Sequence, residues 1–127
     1  MTGFPRGSTA SVPDPDGVLA KAVLSAAARL GLRNRQLAAV LGASEASISR
    51  LHRGRGIAPE SKEGQFARLF LRVYRSLDAL VGGDDGRARA WLHAPNDHLG
   101  GVPAERLTEI QGLVDVVEYL DAVRGRL

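Results

Sequence analysis

Apolar residues recur along this chain at the three- and four-residue spacing of amphipathic helices. The first apolar face comprises Leu19, Ala22, Val23, Ala26 and Leu30. A longer helix is predicted over residues 60–81, and its apolar face comprises Phe66, Leu69, Phe70, Val73, Leu77 and Leu80. No segment alternates with a period of two for long enough to indicate a strand. The pattern therefore predicts an all-α fold with about seven or eight helices.

Cap and turn residues divide this pattern into elements. Asp16 is the predicted N-cap of the first helix, and Gly31 is its predicted end. Residues 1–15 contain several Gly, Pro and Ser residues without apolar periodicity, so we expect a disordered tail. Gly112 either hinges the last part of the chain or merely dents a helix there. Shorter helices are predicted over residues 88–93, 103–110 and 113–123.

Residues 34–53 have the pattern of two short helices joined at Gly42, a residue that accepts the left-handed conformation of a tight helix exit. Ser44 is a favourable N-cap for the second helix, and Glu45 places a negative charge where the helix dipole favours one. The inward faces comprise Leu37, Ala38, Leu41, Ile48 and Leu51. This order of small, apolar and turn residues is typical of a DNA-binding helix-turn-helix.

The polar side chains on the outside of this motif suit contact with DNA. Short hydrogen-bonding groups and guanidinium groups match the base edges and phosphates of a major groove. The predicted DNA-binding residues are Arg35, Ser44, Glu45, Ser47, Ser49, Arg50 and Arg53. Two short helices joined at a glycine also occur in proteins that do not bind DNA, and there Arg50 and Arg53 would be ordinary solvated charges.

Charge is divided unevenly between the two halves of the chain. Residues 1–76 hold 12 Lys or Arg against 5 Asp or Glu, whereas residues 77–127 hold 5 against 9. The basic half contains the helix-turn-helix, as expected for a phosphate-binding lobe, and the acidic half is expected to face a different partner. Arg68, Arg72 and Arg75 form a basic stripe on the long helix, which is either a solvated face or a second contact surface.

No catalytic, metal or cofactor site is predicted, so we expect a protein that is not an enzyme. His93, Asp97 and His98 lack a recognisable zinc-ligand spacing, and Pro95 interrupts them. The glycines match neither a dinucleotide fingerprint nor a P-loop. The chain contains no cysteine, no apolar run near the roughly 20 residues that span a bilayer, and no signal-peptide pattern. These features favour a soluble, cytoplasmic protein without a membrane contact.

The second half of the chain contains several short motifs in a distinctive order. The order is Trp-Leu, Pro-Asn, Leu-Gly-Gly, Pro and a glycine before the final helix, in residues 89–96, 99–103, 112–117 and 124–126. This order resembles that of the C-terminal domain of the MbcA/ParS/Xre antitoxins. With the helix-turn-helix upstream, the resemblance covers nearly everything after residue 16.

The resemblance implies a protein partner, a RES-domain toxin that degrades NAD by hydrolysis or phosphorolysis. It implies that the C-terminal region covers the toxin's active-site cleft, and the acidic lobe would complement a cleft that binds the phosphates of NAD. The expected toxin-binding residues are Trp91, Asn96, Tyr119, Arg124, Gly125, Arg126 and Leu127. Trp91 has the alternative role of a core anchor, and the last residues that of a frayed tail.

The resemblance also implies a division of labour between two lobes. Residues 16–57 would form an Xre-like helix-turn-helix lobe that binds operator DNA and represses its own operon. Residues 58–127 would form the toxin-binding domain. A homodimer is expected, because paired recognition helices read a palindrome, and a larger hetero-oligomer would form with the toxin. The alternative is a stand-alone transcriptional regulator whose second half is a helical dimerisation domain.

Overall fold

The computed structural model describes residues 14–125, and the regular secondary structure of that range is helical throughout, without a strand. The predicted all-α fold is confirmed. The helices are Pro15–Arg29 (α1), Asn34–Leu41 (α2), Glu45–His52 (α3), Lys62–Leu80 (α4), Asp85–Leu92 (α5), Pro103–Arg106 (α6) and Ile110–Gly125 (α7). A short 3-10 turn, Asp97–Leu99, lies between α5 and α6.

Helix α1 begins earlier than predicted. Its N-cap is Asp14, whose carboxylate accepts a hydrogen bond from the Gly17 backbone N–H at 3.2 Å, so the predicted cap Asp16 lies in the first turn instead. Pro15, assigned to the tail, is the first helical residue, because a proline there has no N–H to leave unpaired. The rest of the predicted tail, residues 1–13, lies outside the described residues.

The helix-turn-helix forms as predicted. Gly42 adopts a left-handed conformation with φ of 68° at the end of α2, and the Ser44 side chain accepts a hydrogen bond from the Ser47 N–H at 3.1 Å at the start of α3. Ile48 is completely buried against α2, and Leu51 is 3% exposed. The motif is therefore held by apolar packing inside and by caps at its turn.

Helix α4 is the central element of the fold, since α1, α2 and α7 all pack against it. It extends from Lys62 to Leu80, slightly shorter than the predicted range of 60–81. Ser61 caps it by accepting from the Gly64 N–H at 2.9 Å. A side chain at Gly64 would collide with the backbone carbonyls of the preceding loop, so that loop packs tightly on the first turn.

The C-terminal part differs from prediction in where its helices end. Helix α6 begins at Pro103 as predicted but ends at Arg106, and α7 begins at Ile110 rather than at residue 113. Gly112 is buried inside α7, where an added Cβ would collide with the Arg106 carbonyl. It is thus a site of close approach between α6 and α7 rather than a hinge.

One continuous apolar core joins the helix-turn-helix to the C-terminal part. Two side chains at the C-terminal end of α5 also contact the end of α1. Arg89 Nη1 donates to the Arg29 carbonyl at 3.1 Å, and His93 Nε2 lies 2.9 Å from the Leu30 carbonyl. These contacts satisfy carbonyls that a helix end leaves unpaired. Within residues 14–125, no helix is both long and apolar enough to cross a bilayer.

Candidate DNA and toxin interfaces

The exposed face of α3 carries most of the predicted DNA contacts. Glu45 and Ser49 are spaced i, i+4, and Arg53 follows one turn later as the C-cap residue, so they share a face away from the buried Ile48. Arg50 flanks this face, and both arginines are exposed. Arg35 is exposed in the first turn of α2. Guanidinium groups are therefore available to phosphates or bases at both helices.

The contacts of α3 with its surroundings fix its two ends. Ser44 is the N-cap, so its hydroxyl oxygen is occupied by a backbone N–H of the same helix. At the other end, His52 Nε2 lies 3.2 Å from Asn34 Oδ1 at the start of α2. Neither contact occupies Glu45, Ser49, Arg50 or Arg53. Both ends of α3 are thus fixed within the protein, and the side chains of its exposed face are left available for contact with DNA.

Ser47 lies on the flank of α3, one turn before the buried Leu51, and contacts a residue that the sequence pattern does not single out. Its hydroxyl lies 2.6 Å from Arg55 Nη2, and Arg55 also forms hydrogen bonds of 3.0 and 3.1 Å with the two carboxylate oxygens of Glu63. The hydrogen bond with Glu63 raises the pKa of Arg55 above its usual value, against the opposing effect of burial. Arg55 lies between Gly54 and Gly56 in a loop, so the helical pattern of the sequence gives no reason to predict a role for it.

Three aromatic rings stack on the surface of the C-terminal part. The rings of Trp91 in α5 and Tyr119 in α7 have centroids 6.2 Å apart and planes inclined by 17°. His98 in the 3-10 turn stacks on Tyr119 at 5.6 Å and 29°. Trp91 and Tyr119 are half-buried against the core, and His98 is exposed. We call Trp91, Tyr119 and His98 the aromatic column. The sequence pattern predicts no interface role for His98.

Asn96 shapes the segment that carries His98. Its side-chain Oδ1 accepts a hydrogen bond from the Leu99 N–H at 3.2 Å and caps the 3-10 turn. Its backbone forms a reciprocal pair with Gly101, with N···O distances of 2.9 and 3.2 Å. Asn96 is half-buried. Its hydrogen bonds thus hold the loop that places His98 against Tyr119.

The last turns of α7 are tied to α4 by a polar network. Ser76, the only buried polar side chain among the described residues, has 1% exposure and lies 3.1 Å from Asp121 Oδ1. Arg124 Nη1 donates to the Ser76 hydroxyl at 3.2 Å, and Arg72 forms an ion pair with Asp121. Gly125 is exposed at the end of α7. Arg126 and Leu127, also predicted to bind the toxin, lie outside the described residues.

Two protein-family models match this chain in adjacent ranges. Residues 10–72 match the Xre-like helix-turn-helix domain of antitoxins. Residues 76–126 match the C-terminal toxin-binding domain of the antitoxins Xre, MbcA and ParS. The chain belongs to the Xre/MbcA/ParS antitoxin family. A search of curated proteins found no significant match.

Membership in this antitoxin family explains the two surfaces of the chain. Its N-terminal part is a helix-turn-helix DNA-binding domain, and its C-terminal part is a toxin-binding domain, so the protein is an antitoxin of a toxin–antitoxin system. Neither domain family is an enzyme family. The two matched ranges meet within α4, and the antitoxin therefore uses one helix as the support of both domains.

The arginine stripe of α4 in this antitoxin is partly engaged in ion pairs. Arg72 pairs with Asp121 of α7, and Arg68 lies 3.8 Å from Glu60 with both side chains largely exposed. Arg75 is exposed. The Arg72 side chain is also exposed, and its partner Asp121 belongs to the network at the end of α7. Both interpretations of the stripe therefore stay predictions.

Metal ligation has no geometric support within residues 14–125, where no group of three His, Cys, Asp or Glu side chains could hold an ion. His93 Nε2 bonds to the Leu30 carbonyl, and His98 stacks on Tyr119. These two histidines lie close together in the sequence but have separate structural partners.

Proposed function

We propose that the toxin partner of this antitoxin is a RES-domain enzyme that degrades NAD, and that the antitoxin neutralises it by covering its active-site cleft without itself being an enzyme. The resemblance of residues 89–126 to the MbcA/ParS/Xre pattern supports this partner. The observation that carries the proposal is the aromatic column beside the anchored end of α7. It joins rings of α5 and of the 3-10 turn to Tyr119 of α7, the helix whose end would enter the cleft.

The aromatic column is the proposed anchor of the toxin interface. Aromatic side chains dominate binding energy at protein interfaces because they bury much apolar area with few rotatable bonds. Trp91 and Tyr119 also carry polar groups that hydrogen-bond at an interface edge. Asn96 contributes by holding His98 in the column, so its expected role is indirect.

The segment after Arg124 is the proposed plug of the cleft. Gly125, Arg126 and Leu127 would reach the toxin from the end of α7, where the network of Ser76, Asp121 and Arg124 fixes the direction of the helix and places Arg124 at the edge of the interface. The acidic excess of residues 77–127 complements a cleft that binds phosphates and would steer association. This arrangement separates an apolar anchor from a polar plug.

We also propose that the antitoxin represses its own operon as a homodimer. Two copies of α3 would enter successive major grooves of a palindromic operator, with Glu45, Ser49, Arg50 and Arg53 facing base edges and phosphates. Arg35 and the segment at Ser44 would lie near the phosphate backbone. Binding of the toxin to the C-terminal part of the chain would give a larger hetero-oligomer.

Co-expression with the protein encoded by the adjacent gene tests the toxin assignment, which predicts that this neighbour has a RES domain. The two proteins should copurify, and cellular NAD should stay at its normal level only while the antitoxin is present. The matched variant is a deletion of residues 125–127, which keeps Asp121 and Arg124 in place. Copurification with failed protection supports the plug, whereas full protection by the deletion variant contradicts it.

Operator binding is tested with a fluorescein-labelled duplex from the promoter upstream of the antitoxin gene and a scrambled duplex of equal composition. The antitoxin should bind the promoter duplex more tightly at physiological salt, because base contacts add to the phosphate term. Light scattering of the free protein should give the mass of a dimer. Equal affinity for both duplexes would remove the repressor assignment and leave the toxin assignment standing.

A further inference from the structure

Arg55 lies in the loop between the recognition helix α3 and the central helix α4, and this loop is firmly held. The Ile57 N–H donates to the Asp16 carbonyl at 3.0 Å, and the Ile57 side chain is completely buried. Gly64 in α4 packs against the carbonyls of residues 58 and 59. The backbone at Arg55 is therefore fixed to both α1 and α4.

The Arg55 side chain bridges α3 and α4 from this position. Its two Nη atoms lie 3.0 and 3.1 Å from the carboxylate oxygens of Glu63, which is in the first turn of α4. Nη2 also lies 2.6 Å from the Ser47 hydroxyl and 3.4 Å from the Ser47 carbonyl, and Nη1 lies 3.2 Å from the Gly56 carbonyl. A bidentate arginine–carboxylate pair has a defined orientation as well as energy.

The hydrogen-bonding capacity of Arg55 is already used inside the chain. Its two Nη atoms have five acceptors for four N–H bonds, and its Nε is buried without a partner in the described part of the chain. One third of the Arg55 side chain is exposed, but both of its Nη atoms already have acceptors inside the chain. A phosphate would have to displace Glu63 or Ser47 to reach it.

We propose that Arg55 and Glu63 form a clamp that sets the position of the recognition helix against α4, so that Arg55 is a positioning residue for operator binding and not a DNA contact. Ser47 is the point at which the clamp holds α3, and its hydroxyl serves the clamp rather than a base edge. This inference rests on the proposed operator binding. It deepens that proposal by naming residues outside the exposed face of α3 on which affinity depends.

The clamp is tested by comparing Glu63→Gln with Arg55→Gln in binding to the labelled promoter duplex. Both variants should weaken binding about tenfold, because each breaks the same charge-assisted hydrogen bonds. If Arg55 were a DNA contact, Glu63→Gln would release it and would leave affinity unchanged or raise it. The sign of the Glu63→Gln effect therefore separates the two roles.

The salt dependence of binding is a second way to distinguish a positioning role of Arg55 from a direct contact with DNA. Removing one side chain that neutralises a phosphate lowers the slope of log affinity against log salt by about 0.9. Arg55→Gln should leave the slope of the wild type unchanged. A slope reduced by about that amount would overturn the clamp.

Conservative and double variants distinguish positioning from general destabilisation. Glu63→Asp keeps a carboxylate and should recover part of the affinity lost in Glu63→Gln, and the double variant Arg55→Gln with Glu63→Gln should be no weaker than either single variant. The matched control is the exposed pair Arg68 and Glu60, whose Gln variants should bind as the wild type does. Additive losses in the double variant, or no recovery by Asp, would contradict the clamp.

Hydrogen exchange measures the clamp without DNA. Amides of residues 45–52 should exchange faster in Glu63→Gln and Arg55→Gln than in the wild type, while amides of α7 stay as they are. Unchanged exchange in residues 45–52 would overturn the clamp. Because this readout uses the free protein, it decides the question even if the wild type fails to distinguish the promoter duplex from the scrambled one.

Discussion

The two functional regions of this antitoxin are built on different length scales. The recognition face of α3 comes from one short segment, residues 45–53, with its caps and its inward aliphatics all within one helix-turn-helix. The toxin-facing region instead joins three separate elements, because Trp91, His98 and Tyr119 belong to α5, the 3-10 turn and α7. The recognition face depends on the rest of the chain through the proposed contact of Arg55 with Glu63, whereas the toxin-facing region depends on the packing of three elements.

The largest effect is expected where two elements of the assembled region touch. Gly112→Ala places a Cβ against the Arg106 carbonyl, and we expect it to lower the free energy of unfolding by about 3 kcal/mol. The matched control is Gly125→Ala in the same helix, where an added Cβ meets no atom within 4 Å. Thermal unfolding, followed through the fluorescence of the only tryptophan, measures both variants.

The same experiment shows whether the two regions unfold together. Since α4 packs against both parts of one core, α1–α3 should lose their structure in the same transition as α5–α7. Two separate transitions, by helical circular dichroism and by tryptophan fluorescence, would contradict this coupling. The helix-turn-helix part and the C-terminal part would then be two domains that unfold independently.

Trp91→Ala tests the aromatic column as the toxin anchor. We expect the affinity for the toxin to fall by about 2 kcal/mol, as for a central aromatic side chain of an interface. Trp91→Phe keeps a ring against Tyr119 and should retain most of the affinity. Calorimetric titration with the toxin measures both, and equal affinity of the Ala variant and the wild type would remove the column from the interface.

Replacing Arg50 and Arg53 together by Ala tests the local recognition face. Operator affinity should fall by about 1–3 kcal/mol for a base contact, and the salt slope should flatten by about 0.9 for each phosphate that is no longer neutralised. Toxin affinity should not change, because both residues lie in the helix-turn-helix domain and outside the toxin-binding domain. A variant with wild-type affinity and salt slope would refute the assignment of this face.

The smallest effect is expected at the start of α1. Asp14→Ala removes an N-cap and should lower stability by about 1 kcal/mol, whereas Asp16→Ala should change it much less. Chemical denaturation of the two variants measures the difference. A larger loss of stability in Asp16→Ala than in Asp14→Ala would show that Asp16 is the N-cap, as the sequence pattern predicts.

Much of the fold was predictable because its signals are local. The turn at Gly42, the cap at Ser44 and the inward faces of α2 and α3 follow from spacing and from the conformational preferences of single residues. Boundaries were less predictable: α7 begins before residue 113 because Gly112 packs on α6, a contact that no periodic pattern contains. The candidate site divides in the same way, with Arg55, Ser76 and His98 absent from the predicted interfaces.

The sequence by itself determined the helical class of this antitoxin, the position of its helix-turn-helix and the order of motifs that identifies its family. The first two depend on residues within a few positions of each other, where helix geometry dictates which side chains share a face, and the order of motifs is read directly along the chain. Only the tertiary structure decided which polar groups are already engaged, as in Arg124 with Ser76, 48 residues away, or Arg55 with Ser47 and Glu63. Such partners are chosen by how the helices pack, and packing is a property of the whole core.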